Sequence, residues 1–270
     1  MSAQEALRAG DLDGALAQLQ EEVRHSPADA KLRVFLFQLL AVQGQWERAW
    51  VQLNTAAEME PLALAMAQMY RETLRCEMLR AEIFAGKRGP LIFGEPPAWI
   101  GWLVEALRWT AEGQYEAANQ LRERAFEAAP AVPGSINGQR FQWLADADPR
   151  LGPVLEAIVA GRYLWIPFQH IRSIRLEAPA DLRDMVWMPA QFTWVNGGEA
   201  VGVLPSRYPG SESNPDPLIR LARKTDWQEV APGLQLGQGQ RLLATDEDDF
   251  PLLDIRQLDC EVEDGGTHGS

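Results

Sequence analysis

The residues of this chain that could do acid-base, nucleophilic or metal chemistry are few and scattered. Its histidines are His25, His170 and His268, and no two stand at a spacing that would bring two imidazoles to one metal ion. His170 alone is followed by nearby acids, Asp181 and Asp184. An imidazole and a carboxylate brought together there would move a proton, which is the hydrolase or ligand-binding reading of the sequence. The competing reading is a turn histidine bonded to neighbouring backbone. Ser206 and Ser211 lack the setting of a nucleophile elbow. The stretch LGQGQR carries glycines but neither GxGxxG nor the lysine-serine ending of a phosphate loop. Cys76 and Cys260 match no metal or redox spacing. The sequence therefore predicts no catalytic set, no metal and no cofactor.

What must position any functional side chain is a repeated helical unit. Ala30 to Pro61 reads as helix, turn, helix, with Gly44 at the turn, Trp46 after it, Ala49 and Leu53 on the second helix and Pro61 closing it. Stepping back 34 residues lands on Gly10, Leu12, Ala15, Leu19 and Pro27. A third copy stands at Gly113, Tyr115, Ala118 and Pro130, with the same 17-residue step from glycine to proline. A 34-residue helical period resembles tetratricopeptide repeats, whose units stack into a curved solenoid with a concave face. In such repeats the first helix of each pair lines that face. Aligning on Gly44 and Gly113 points Lys31, Val34, Gln38 and Ala41, then Ile100, Leu103, Leu107 and Thr110, into a groove suited to an amphipathic partner helix. The alternative is that residues 62–98 fold over this face and fill it.

With 38 acidic against 25 basic residues the net charge is −13, so phosphate backbones are repelled and nucleic acid is excluded as a partner. No stretch approaches eighteen uninterrupted apolar residues, which argues against membrane insertion. The N-terminus lacks the basic start and apolar run of a secretion signal, and two distant cysteines fit a reducing cytoplasm. Ten tryptophans are many for 270 residues. Most read as core, and a few as candidate partner anchors.

The repeat register loosens after Pro61. Residues 62–85 read as one long helix, and GKRGPLIFGEPPAWIG as a loop that must bury Leu91, Ile92 and Phe93. APAVPG at 129–134 marks a boundary. Beyond it, Asp148 and Pro149 read as the start of a helix ending at Gly161. Short β-favouring runs follow at 163–168, 171–176, 185–190, 191–195 and 199–205, with the hairpin signal Asn196-Gly197-Gly198, a short helix within 216–224 and a last strand near 252–258. In ADLRDMVWMPA, Arg183 between Asp181 and Asp184 reads either as an ion-pair network fixing the sheet or, with Trp187 and Tyr208, as a contact patch on its surface.

The run RLGPVLEAIVAGRYLWIPFQHIRSI, then APADLRDMVWMPA, LPSRYPGSE, RLARKTDW and GQGQRLLATDEDDFPLLDIR, resembles the ImpE family, also called the TagJ or SciE type, an accessory component of bacterial type VI secretion clusters. The blocks cover most of residues 150–256. What the resemblance implies is a non-enzymatic cytoplasmic adaptor that binds the small subunit of the contractile sheath, in some systems through that subunit's N-terminal segment, and connects the sheath with the ClpV-type AAA+ disassembly ATPase. The expected architecture is a tetratricopeptide-like helical solenoid over residues 1–131, then an α+β domain with a small, mostly antiparallel sheet over 136–262, and a disordered tail over 263–270.

Overall fold

A computed structural model describes residues 2–60 and 64–262. Pro61, read as the closing proline of the second unit, and the tail at 263–270 lie outside the described residues. Helices α1 (Ala3–Arg8) and α2 (Leu12–His25) form a first antiparallel pair, and α3 (Ala30–Val42) and α4 (Trp46–Met59) a second. Their starts are chemically marked. Ser2 and Glu5 make a reciprocal capping box, and the side chains of Asp11 and Asp29 accept from first-turn N–H groups of α2 and α3.

After α5 (Leu64–Phe84) and the two-residue strand β1 (Leu91–Ile92), α6 (Ala98–Ala111) and α7 (Tyr115–Ala128) form a third pair. The turns of the pairs repeat atom for atom. Gly44 at φ 68° and Gly113 at φ 76° occupy the left-handed region. Gly44 N–H donates to Ala41 O at 3.1 Å and Gln45 N–H to Leu40 O at 2.9 Å. Gly113 donates to Thr110 O and Gln114 to Trp109 O in the same way, at 3.1 and 2.8 Å. The periodicity thus marks three helix pairs. They do not run as one uninterrupted stack, because the 21-residue α5 stands alone between the second and third and packs on the sheet.

The second half is richer in strands than the sequence predicts. It contains β2 (Gly134–Ile136), β3 (Gln139–Phe141), β4 (Leu144–Asp146), β5 (Val154–Val159), β6 (Arg162–Pro167), β7 (Ile171–Leu176), β8 (Trp187–Trp194) and β9 (Glu199–Pro205). After the short helix α8 (Pro217–Arg220) come β10 (Thr225–Ala231), β11 (Leu234–Gly239), β12 (Leu242–Thr245), β13 (Asp249–Pro251) and β14 (Gln257–Cys260). The main sheet is not small. Its nine strands run in the order β1-β6-β5-β9-β8-β7-β14-β2-β3, antiparallel except for β1 on β6.

Two local expectations are corrected. The helix read over 149–161 is instead strand β5, closed on β6 by the two-residue turn Ala160-Gly161 with φ of 49° and 71°. All six residues of β5 are buried, so the strand shows no apolar-polar alternation and its composition does not separate strand from helix. Asp148, read as a helix cap, accepts instead from the N–H groups of Arg150 and Gly237. The runs at 185–190 and 191–195 are one strand, β8, and the last strand begins at Gln257.

The two halves share a core. Phe37, Tyr70, Leu74, Leu103 and Leu107 from the helices pack in one continuous buried cluster with Trp165, Trp187 and Leu221. A second cluster, with Ile136, Phe141, Ile166, Phe192 and Leu258, fills the other face of the sheet. Strand β1 crosses the expected boundary as well. It belongs to the helical half in sequence and to the sheet in space.

Candidate functional site

The structure fills the concave face. Gln38, Ala41, Ile100, Leu103, Leu107 and Thr110 are buried, the two leucines at 0 % and 3 % relative exposure; Val34 is half-buried, and Lys31 alone of the eight is exposed. The expectation of an open groove is therefore corrected. The occupant is α5 together with the sheet half, not residues 62–98 alone. Between them the helices and the sheet exclude water from this face, and the apolar spacing that suggested a partner helix reports a core.

A network of buried charges forms the seam. From α5, Arg80 donates to Glu156 of β5 through Nε to Oε1 at 2.7 Å and Nη2 to Oε2 at 3.0 Å, and to Arg207 O at 2.8 Å. Glu156 also accepts from Tyr163 Oη and Arg241, and Arg241 reaches Asp146 Oδ2 at 3.1 Å. Trp165 Nε1 donates to Tyr163 Oη at 2.9 Å, and Trp187 Nε1 to Glu77 Oε1 at 2.9 Å. Burial by itself raises the Glu156 carboxyl, and the guanidinium groups of Arg241 and Arg80 outweigh it, holding the group below the ordinary carboxylate range. Asp146, with only a share of Arg241, is pushed up by burial to about 7. Burial raises Glu77 too, against the pull of Arg80.

Arg207 closes the seam. Its Nη1 donates to Val42 O at 2.8 Å and to Arg220 O, so a residue of the sheet half satisfies a carbonyl at the C-terminal end of α3. Sequence reasoning passed over this whole network. Its trace is legible in retrospect: Glu156 is the one charge in the apolar run VLEAIV, and Glu77 and Arg80 stand three apart on the face of α5 that carries Leu74 and Ile83.

The second-domain patch is corrected on the same ground. Trp187 and Tyr208 are fully buried. Trp187 packs against Trp46 and Tyr70, with ring centroids 5.9 and 5.8 Å away. Arg183 pairs with Asp181, stacks 5.1 Å over the Tyr70 ring and donates to Met66 Sδ at 2.8 Å, so it ties the sheet half to α5.

His170 and the Asp181/Asp184 pair are not brought together. His170 lies at the Trp194 end of β8, its carbonyl accepting from Val195 N–H. The aspartates precede the Trp187 end, roughly 20 Å away at about 3.3 Å per residue. The Asp184 carboxylate is already engaged, capping the N–H groups of Ala180 and Asp181 at 2.8 Å each. His170 instead holds the strap between α5 and α6. Phe93 of that strap sits 4.3 Å from Trp194 and 6.3 Å from the His170 ring, between ring centroids. Burial lowers the His170 pKa, against a hydrogen bond from the ring to the Glu95 backbone that raises it. Among the described residues no cluster of His, Cys, Asp and Glu could hold a metal ion, and no helix is long and apolar enough to cross a membrane.

What remains accessible and apolar is a cleft beside α5. One helical stripe, Ala65, Met69, Glu72 and Thr73, faces Ile158, Gly161, Val201 and Gly202 across a cavity of about 450 Å3. A second hollow of about 370 Å3 continues past Met69, Val201 and Gly202 to Arg175 and Gln191. Strand β5 pairs β9 only at Ile158↔Val203 and Val159↔Gly202. A Cβ on Gly202 would meet Ile158 O at 2.4 Å, so only glycine allows the strands this close here. Val201, at 73 % exposure, is left open at the cleft mouth. Such a surface has the shape and polarity to hold an apolar ridge.

The ImpE protein family model matches residues 138–259. The chain is 54% identical over 264 residues, 98% of its length and 92% of the relative's, to a type VI secretion system accessory component, TagJ, from Pseudomonas aeruginosa. Among solved structures, the crystal structure of protein VPA1032 from Vibrio parahaemolyticus matches with a TM-score of 0.87 at 28% identity, covering 97% of this chain and 98% of that one.

Proposed function

The chain belongs to the ImpE family, and from that premise we propose that it is a non-enzymatic cytoplasmic adaptor of a type VI secretion system. In this reading it binds the small subunit of the contractile sheath through that subunit's N-terminal segment and connects it with the ClpV-type AAA+ ATPase. The observation that carries the reading is the 54% identity to TagJ along nearly the whole of both chains. The geometry supports it in two ways. His170 is separated from Asp181 and Asp184, which argues against the acid-base alternative built on those residues. The helices and sheet, locked by a buried charge network, form one body with an accessible apolar cleft, as a docking platform requires.

The test is calorimetric titration of the full chain with the N-terminal segment of the cognate sheath small subunit. Saturable binding at about micromolar affinity, the scale of a short apolar helix on a shallow surface, supports the reading, and no binding overturns it. A pull-down of the ATPase with and without the sheath subunit separates direct contact from contact through the sheath.

A further inference from the structure

We propose that the face of strands β7, β8 and β9 beside α5, centred on Val201, is the docking surface, and that its occupant is a three-turn amphipathic helix of another protein with an apolar stripe and basic flanks. This rests on the adaptor reading and assigns it a place. Three observations carry it. Val201 is exposed at 73 % and Met69 of α5 at 44 %, and both line the cleft, so large apolar side chains from two elements converge on it.

The open surface is a sheet face, not an edge. Gln191 pairs with Arg175 on one side and with Val201 on the other, so the backbone here is already hydrogen-bonded. An incoming segment must therefore satisfy its own backbone, as a helix does. The dimensions fit. Three strands span about 10 Å and five residues along them about 16 Å, which is the width and length of a three-turn helix.

The charge of the rim selects the partner. Exposed carboxylates of Glu177 and Glu199 border the continuation of the cleft, while Glu72 on the cleft wall is paired with Arg75; Arg175 is the one exposed guanidinium lining the face, in a chain of net charge −13. Basic side chains on the flanks of the helix face these acids, while residues at i, i+3, i+4 and i+7 rest on Val201 and Met69.

The experiment titrates a fluorescent peptide of the sheath small subunit's N-terminal segment with the wild type, Val201→Asp, Met69→Glu and Glu199→Lys, each checked for unchanged melting. All three positions are exposed, so the fold is retained. Weakening of about tenfold or more by Val201→Asp and Met69→Glu, with a smaller, salt-dependent weakening by Glu199→Lys, is expected. Wild-type binding that all three variants keep overturns this surface and leaves the adaptor reading standing. Absence of wild-type binding overturns both. A wild-type dimer in sedimentation that Val201→Asp dissociates also overturns the proposal, because a second copy then covers the face.

Discussion

Arg80 and Glu156, 76 residues apart in sequence, meet in the dry seam as a two-pronged pair at 2.7 and 3.0 Å, each side chain at most 7 % exposed. This contact joins the helical half to the sheet. Removing one partner leaves a buried charge without its counterion, which costs about 3–5 kcal/mol. Glu156→Gln is expected to lower stability by that amount in urea unfolding, with the near-UV signal of Trp165 and Trp187 lost ahead of the far-UV helix signal.

The same seam sets a pH dependence. The Asp146 carboxyl is raised by burial from an ordinary 3.8 to about 7, so the folded state holds that proton more tightly than the unfolded chain. Its stabilising contribution is complete below pH 3.8 and is lost as pH climbs to about 7. Glu156, held below its ordinary value, acts in the opposite sense, and its contribution is lost as acid protonates it. Asp146→Asn is expected to flatten the decline of stability over the upper window. The flattening is partial, because raised Glu77 adds to the same slope. Denaturation midpoints across that pH range read it directly.

Arg207 serves α3 from outside. Its guanidinium is buried and its pKa is lowered by that burial to about 10, and it is kept there by backbone carbonyls. Arg207→Ala is expected to cost about 1–3 kcal/mol by leaving those carbonyls unsatisfied. Arg207→Lys should recover only part of it, because an ammonium has a single nitrogen and lacks the second prong, Nη2, that reaches Ala41 O at 3.5 Å while Nη1 serves Val42 and Arg220. Thermal unfolding of the two variants checks the order.

Phe93 holds the strap between α5 and α6 through Trp194 and through its own N–H, which donates to Trp165 O at 2.9 Å. Phe93→Ala is expected to cost about 2–4 kcal/mol and to speed hydrogen exchange at the backbone of residues 88–96 well before the rest of the protein.

Leu103 and Leu107 test the filled groove. A carboxylate at either position is buried without a partner, so Leu103→Glu is expected to lose more than about 3 kcal/mol and the double variant to unfold. Val201→Asp, on the surface, should stay within about 0.5 kcal/mol of the wild type. A stable Leu103→Glu protein in circular dichroism would contradict the burial described above.

By itself the sequence determined the local chemistry. The repeated 17-residue step from turn glycine to proline, with a small residue between, marked three helix pairs, because the left-handed residue between paired helices favours glycine. The runs at 171–176 and 199–205, with Asn196-Gly197-Gly198 before the latter, marked β7, β9 and the β8–β9 hairpin, because alternation and turn preference act over neighbouring residues. Strand β5 escaped this reading since both of its faces are buried and its pattern has no period.

Only the tertiary structure decided which apolar faces are free. Leu103 and Val201 are equally apolar in sequence, yet one is sealed and the other open, since exposure depends on what distant elements lie above them. The buried network was hidden for a related reason. Arg80, Glu156 and Arg241 come from three separated segments, and a charge buried with its counterions looks in sequence like any surface charge. Where α5 crosses the sheet settles both questions, covering the repeat face and leaving the Val201 cleft beside it.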